Sequence, residues 1–575
     1  MDGWMDEWID GCMGYTAHSS AMAGKTLNFN VGVLGHVDSG KTSLAKALST
    51  VASTACFDKN PQSKERGITI DLGFSSFVVE APEHVQAGGY EKLQFTLVDC
   101  PGHASLIRTI IGGAQIIDAM MLIVDITKGI QTQTAECLVI GEILCDNLLV
   151  VFNKVDLIPQ QKQKATIEKM TKRILLTLQK TKFANSKIIA VSAKPGGAEA
   201  SDESPIGVEE LIKAMQESSY IPKRDSLGPF LFSVDHCFSI RGQGTIMTGT
   251  VLQGMVTVND TIEIPSLKVT KKVKSMQMFR QPVEKVSQGD RVGICVTQFD
   301  PKLLERGLVG SPGVIKTAFG VLARVSKISY YKLPIETKAK FHISIGHETV
   351  MARASFFHTE NQESAGETFD FNCTYKHQQE LFAPKHEDGT TSHQFALLQF
   401  EKPIQITPNS SLIGSKLDMD VHTNMCRLAF KGELLEIFTE KNYQETQLER
   451  IKVYKNKSKE GLVERMANEN EIIVKNLLKK DTNSQLFVGL KVKLSTGEEG
   501  IIDGTFGQGG KVKVRISSGL QDTTKVLLQK LSAGKKKGKS GQENQPSPDN
   551  SSEPVKVILN FKKYVFSNSK KIVQT

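Results

Sequence analysis

The sequence predicts an α/β domain with a mostly parallel sheet, followed by three β-barrel-type domains. Three observations point to this. Between residues 27 and 222, short apolar strands alternate with helix-like stretches, the spacing of repeated βα units. After Pro222, short alternating segments punctuated by glycine take over, with turn signals about every 8–12 residues, as in all-β barrels. The chain has 575 residues, too many for one core, so about three to five domains of roughly 100–200 residues are expected.

In chain order, residues 1–26 open on an acidic stretch without the basic start and apolar run of a secretory signal. They are read as a disordered extension without assigned function. The α/β domain spans 27–222, with strands over Val31–Gly35, Phe95–Val98, Met120–Asp125, Leu148–Asn153 and Ile188–Ser192. A first barrel is expected over 223–316, with strands at Phe230–Val234, Thr245–Leu252, Thr261–Ile264, Leu267–Met278 and Arg291–Val296. A second is expected over 317–480, and a basic β-rich domain over 481–575 with strands between Leu486 and Leu527. Residues 532–554 are low in complexity and are expected to form a flexible loop, before Val555–Phe566 returns to the last barrel. The most apolar stretch, Ile116–Ile126, is interrupted by Asp118 and Asp125, so no run of about 18 uncharged apolar residues suggests a membrane span.

The chemistry begins at Gly35-His36-Val37-Asp38-Ser39-Gly40-Lys41-Thr42, between a strand and the helix-like run Ser43–Leu48. This is the context of a phosphate-binding loop: glycines let backbone N–H groups curl around phosphates at the positive end of a helix. Asp38, Ser39, Gly40, Lys41, Thr42 and Ser43 are the candidate contacts. Lys41 would reach the outer phosphates, and the Thr42 hydroxyl would bind Mg²⁺, which favours oxygen. Asn153-Lys154-Val155-Asp156 ends an apolar strand. A carboxylate accepts hydrogen bonds from both N1–H and the exocyclic amine of guanine, a donor pair adenine lacks, so Asp156 selects GTP over ATP. Asn153 and Lys154 support the base and the loop. Ser192-Ala193-Lys194 would form the companion loop on guanine.

Asp99-Cys100-Pro101-Gly102-His103 lies between these motifs. Asp99 would hold Mg²⁺ through a water, Gly102 would meet the terminal phosphate, and His103 would position the attacking water. Upstream, Thr69 in Arg66-Gly67-Ile68-Thr69-Ile70 is the candidate Mg²⁺ ligand ordered only with GTP. The expected cycle is a GTP/GDP switch made irreversible by hydrolysis.

Charge and cysteine content add two bounds. The net charge is +9. From Thr482 onward there are 16 Lys and Arg against 7 Asp and Glu, so the whole excess lies there and the preceding residues balance at 55 of each. Such asymmetry suggests a nucleic-acid or ribosome contact, through Lys511, Lys513, Arg515, Lys562, Lys563, Lys570 and Lys571. The nine cysteines form no CxxC pair, which argues against a disulfide framework or zinc cluster and for a reducing compartment. The cytoplasm is expected, with the Lys535–Lys537 run readable as a nuclear signal.

The strings GHVDSGKTSL, RGIT, DCPGH and NKVD, in this order, resemble the translational GTPases. Within them the switch string RGITIDLGF, Ser39 in the phosphate loop and a fourth domain resemble the selenocysteine-specific elongation factors, over about residues 27–575. That resemblance implies a monomer carrying selenocysteinyl-tRNA to the ribosome at recoded UGA codons, with His103 catalytic. It places Asp235, His236 and Arg291 in a cargo pocket. A selenol is more acidic than a thiol, so the cargo is an anion; Arg291 and His236 would hold the selenolate and exclude neutral serine, with Asp235 keeping His236 protonated. Asp235-His236 is expected to close one strand and Arg291 to open another. A β-barrel tail resembles the eukaryotic or archaeal type, in which an adaptor protein links the factor to an mRNA element. The alternative is the gamma subunit of eukaryotic initiation factor two, expected to carry a different switch string and cysteine pairs.

Overall fold

A computed structural model describes residues 25–49, 51–52, 73–101, 116–179, 181–195, 204–278, 281–346, 348–359, 369–382, 393–408, 410–419, 425–480, 482–507, 510–537, 554–567, 569 and 571–574. They fall into two compact units, one within 1–355 and 380–440, the other within 356–379 and 441–575.

The first unit begins with a seven-stranded sheet: β1 (Thr26–Gly35), β2 (Val51–Ala52), β3 (Gly73–Glu80), β4 (Lys92–Asp99), β5 (Ala119–Asp125), β6 (Asn147–Asn153) and β7 (Lys187–Ala190), in the order β2-β3-β4-β1-β5-β6-β7. From β4 through β7 every pairing is parallel, while β2 and β3 add on antiparallel. Strands β5 and β6 are apolar between their ends because both faces are covered. On β5, Met120, Leu122 and Val124 enter one core while Met121 and Ile123 enter the other, as the two-residue period of a strand requires. Helices α1 (Lys41–Leu48), α2 (Thr132–Leu144), α3 (Gln160–Leu178) and α4 (Val208–Ser218) accompany the sheet.

The next strands close a barrel in the order 261–264, 307–310, 231–240, 244–253, 291–296 and 269–278, the last pairing back to the first. Phe232, Met247, Ile262, Ile294 and Val309 fill it. It is attached to the α/β domain along β1. Asn28 Nδ2 donates to Asp290 Oδ1 at 2.6 Å, Asn30 Nδ2 to the Gly289 carbonyl at 3.0 Å, and Arg224 Nη2 to Asp118 Oδ2 at 2.7 Å. Burial pushes the Asp290 carboxyl above its ordinary pKa, and the Asn28 amide keeps it hydrogen-bonded. A further set of strands over 316–327, 340–345, 394–406, 411–415 and 428–438 follows. Arg427 joins it to α2 through Glu136: Arg427 Nε and Nη2 reach the two carboxylate oxygens at 2.9 and 2.7 Å, both side chains 5% exposed.

In the second unit a closed barrel runs through strands 453–468, 471–475, 511–515, 499–506, 491–494 and 556–564, the last pairing back to the first. Two expectations are corrected here. The division expected at 480 cuts this barrel, since Val453–Asn468 and Glu471–Lys475 pair with strands beyond it. Residues 522–537, expected to be partly strand and partly loop, form a helix. Its inner face is set by Thr524 and Leu528, four apart and both buried, a helical spacing. The remainder of the expected loop, 538–553, lies outside the described residues.

Candidate functional site

The nucleotide motifs gather at the C-terminal edge of the parallel sheet, where open α/β sheets place their ligands. β1 ends at Gly35 and the chain turns through Asp38 (φ 59°) and Gly40 (φ 86°) into α1. At Gly40 a side chain is barred twice: the left-handed backbone disfavours it, and a Cβ would stand 2.2 Å from Asn153 Nδ2. Lys41, Thr42 and Ser43 occupy the first turn of α1, whose N–H groups have no partner within the helix. They form the positive end expected to receive phosphates. Lys41 is buried, and its ammonium donates to the His36 carbonyl at 2.8 Å. Loss of solvent lowers its pKa, with Asp99 pulling the other way. Burial, with Lys41 and Lys128 nearby, likewise holds the His36 imidazole below its ordinary value.

Thr42 Oγ1 donates to Asp99 Oδ2 at 2.5 Å. Two oxygen donors from separate elements thus meet beside the loop, a donor set that suits Mg²⁺ completed by phosphate and water oxygens. Thr69, Gly102 and His103 lie outside the described residues.

Asn153 is a tie between all three loops. Its Nδ2 donates to the Ser39 carbonyl at 2.9 Å, while its Oδ1 accepts from the N–H groups of Lys154 at 2.9 Å and Ala193 at 3.1 Å. Asp156 follows in a single 3₁₀ turn, and Ser192 Oγ donates to its carboxylate at 2.5 Å. Lys194 is exposed beside it. Asp125, which sequence reasoning noted only as a break in an apolar run, receives the Lys154 ammonium at 2.9 Å. Its signal was its place at the end of β5, level with Asn153 on β6.

Two of the three residues expected in a cargo pocket, Asp235 and Arg291, come together, in a different arrangement from that expected. Asp235 and His236 sit inside a long strand, Leu231–Ile240, not at its end. The register jumps between Val234 and His236, leaving Asp235 unmatched in the ladder. This is a bulge, which re-aims a side chain. The Asp235 carboxylate goes to Arg291, not to His236: Arg291 Nη1 donates to Asp235 Oδ2 at 2.5 Å. The two residues flank the intervening strand, Val234 opposite Gly249 and Arg291 opposite Thr250, and a permanently charged guanidinium is the stronger partner. Arg291 is 5% exposed; burial lowers its pKa and Asp235 opposes the shift. Its Nε and Nη2 make no hydrogen bond among the described residues. A buried guanidinium with open donors is built to receive an anion.

In the second unit the expected basic contacts divide. Lys511, Lys513 and Arg515 face carboxylates: Glu464 at 2.8 Å, Glu471 at 2.8 Å and Asp503 at 3.9 Å. Their charge is largely offset locally by acids on other strands of the barrel. Lys562 and Lys571 instead lie over the rings of Tyr454 and Tyr564, at 4.3 and 5.6 Å from the ring centres, and Lys563 is exposed. Lys570 lies outside the described residues.

Family models match along the chain: the elongation factor Tu GTP-binding domain over 27–222, elongation factor Tu domain 2 over 244–309, the third domain of eukaryotic selenocysteine-specific elongation factors over 322–432, and the eEFSec C-terminal RIFT domain over 449–570. A mouse protein described as a selenocysteine-specific elongation factor is 53% identical, over 96% of this chain and 100% of its own. The chain belongs to the selenocysteine-specific elongation factors. A second selenocysteine-specific factor, from Methanocaldococcus jannaschii, is 33% identical over 88% of this chain and 97% of its own. Among solved structures, translation elongation factor SelB of Methanococcus maripaludis with the GTP analogue GppNHp superposes with a TM-score of 0.63 at 25% identity, covering 94% of this chain and 99% of that one. A bacterial selenocysteine-specific factor shares the fold at 22% identity and a TM-score of 0.52, over 74% of this chain and 61% of its own. As a selenocysteine-specific elongation factor the chain is a GTP-binding translational GTPase, and the C-terminal match begins well ahead of the boundary expected at 481. Among the described residues no helix is long and apolar enough to cross a membrane.

Proposed function

We propose that this chain, as a monomer, binds GTP with Mg²⁺, holds selenocysteinyl-tRNA through the charged side chain of its cargo, and delivers it to the ribosome at recoded UGA codons, hydrolysing GTP to GDP on decoding. The observation that carries the cargo reading is the buried Arg291: its Nη1 donates to Asp235, and its Nε and Nη2 have no acceptor among the described residues. A selenolate offers those open donors a charged acceptor; the neutral serine hydroxyl is a weaker one. The deciding measurement is the affinity for selenocysteinyl-tRNA against seryl-tRNA. Wild type should prefer the former strongly, and Arg291→Ala should lose most of the preference with GTP turnover intact. Equal affinities in the wild type would remove the pocket.

For hydrolysis, the first turn of α1 and Lys41 would hold the phosphates, and Asp156 with the Ser192–Lys194 loop the base. Bound Mg²⁺, held by Thr42, Thr69 and, through water, Asp99, would offset charge on the phosphate oxygens. Gly102 would meet the terminal phosphate and His103 would orient the attacking water. His103→Ala should keep GTP affinity and slow ribosome-stimulated turnover by several orders of magnitude, read in single-turnover assays with ribosomes; an unchanged rate removes the role. For RNA contact, the aromatic-backed Lys562 and Lys571, with Lys563, are favoured over Lys511, Lys513 and Arg515. Such a surface would bind phosphates in a salt-dependent way and would leave recognition of the mRNA element to an adaptor protein. We place the factor in the cytoplasm.

A further inference from the structure

The nucleotide site and the cargo pocket meet at one aromatic side chain. Phe74 is the second residue of β3, paired with Val98 on β4, one register step from the Gly73–Asp99 pair. Asp99 in turn holds Thr42 of the phosphate loop. On its other side the Phe74 ring, 1% exposed, lies against the barrel: the guanidinium carbon of Arg291 is 3.2 Å from the ring centre. Arg291 is thus held in two directions. Asp235 takes one terminal nitrogen and the ring covers one face, so the buried Nε and Nη2 are left as the edge without a partner among the described residues.

The two holders belong to different parts of the molecule. The turn that precedes Arg291 is fastened to β1, by Asn28 on Asp290 and Asn30 on the Gly289 carbonyl. The ring is carried by the end of β3, beside the Asp99–Thr42 pair. A shift of the β3 end against β1 therefore changes the ring-to-guanidinium contact while the base of Arg291 stays fixed. A cation over an aromatic face is sensitive to such a shift, since the attraction depends on the cation lying over the ring within about 6 Å.

Building on the cargo-pocket reading, we propose that Phe74 is a positioning residue that links the nucleotide bound at the phosphate loop to charge recognition at Arg291. With the β3 end seated on Asp99, the ring sets the guanidinium plane and presents its open edge to the selenolate. When that end moves, the edge is no longer presented and the grip on the anion weakens. In this role the ring acts through Arg291 and not on the nucleotide.

The test uses the full chain and measures binding of selenocysteinyl-tRNA and seryl-tRNA, each with a non-hydrolysable GTP analogue and with GDP. Phe74→Leu keeps apolar bulk and removes the aromatic face. It is expected to bind both nucleotides and seryl-tRNA as wild type does. Its affinity for selenocysteinyl-tRNA with the GTP analogue should fall about tenfold, narrowing the gap between the GTP and GDP forms by the same factor. Phe74→Tyr should restore the gap, which a merely structural role for the side chain would not require. If Phe74→Leu fails to bind nucleotide, Phe74→Met provides the same comparison. Should Phe74→Leu keep the full gap while Arg291→Ala loses the preference for selenocysteinyl-tRNA, the link is wrong and the pocket stands. If Arg291→Ala also keeps that preference, pocket and link fall together.

Discussion

Replacing Arg427 with alanine is expected to cost about 3–5 kcal/mol at the contact between α2 and the strand Leu428–Phe438. The side chains of Arg427 and Glu136 are each 5% exposed. Arg427 also donates its backbone N–H to Glu136 Oε1 at 3.2 Å, so one carboxylate accepts three hydrogen bonds from one residue. Removing the guanidinium leaves a buried carboxylate with only the backbone donor, the costly way to break such a pair. Removing both charges is different. Glu136→Leu with Arg427→Met keeps the volume apolar and should recover most of the loss, because the pair's attraction is largely spent on desolvating two ions. Hydrogen exchange at the amides of Thr132–Leu144 and Leu428–Phe438 checks this: faster in Arg427→Ala, near wild type in the double variant. A loss below about 1 kcal/mol would mean that the pair is solvated in solution. The contact bears on function because α2 starts beside the phosphate loop, where Gln133 bonds His36.

What the sequence disclosed follows from the range of the interaction. The phosphate loop, Asp156 and Ser192 were legible because strand, glycine and ligand lie within a few residues, so local pattern and chemistry coincide. Asp235 and Arg291 were singled out individually, but their pairing was not legible. It depends on both strands flanking 244–253 and on the bulge after Val234, a register no local spacing reveals. Glu136 and Arg427 are 291 positions apart, and neither carries a local signal. Phe74 lay in a string already marked, RGITIDLGF, yet a phenylalanine in a strand reads as core until a cation is found on its face. Lys511, Lys513 and Arg515 read as a basic stripe because their carboxylate partners come from other strands, outside the segment 511–515. The helix at 522–537 was hidden because its second part falls in the lysine-rich, low-complexity stretch from 532 and its buried positions, Thr524 and Leu528, span a single turn.

The largest change in nucleotide choice is expected from Asp156→Asn. Guanine presents two donors side by side, N1–H and the exocyclic amine, and the carboxylate offers an acceptor to each. Hydrogen bonds to a charged group contribute about 1.5–3 kcal/mol each. The asparagine amide keeps one acceptor and turns the other into a donor, which faces the exocyclic amine donor to donor. GTP affinity should therefore fall about a hundred- to a thousandfold. Xanthosine triphosphate carries a carbonyl where guanosine carries the amine, so it pairs with the amide and should gain by a similar factor. The loop need not collapse, because the amide oxygen can still accept from Ser192 Oγ, the bond that joins the two base-side loops. Competition binding of the two nucleotides to wild type and variant measures the inversion. Loss of GTP without gain of the xanthine nucleotide would assign Asp156 to loop structure through Ser192, while an unchanged GTP affinity would take base recognition away from it. Only an inversion requires the carboxylate to read the base edge directly, since a damaged loop weakens both nucleotides and cannot raise either.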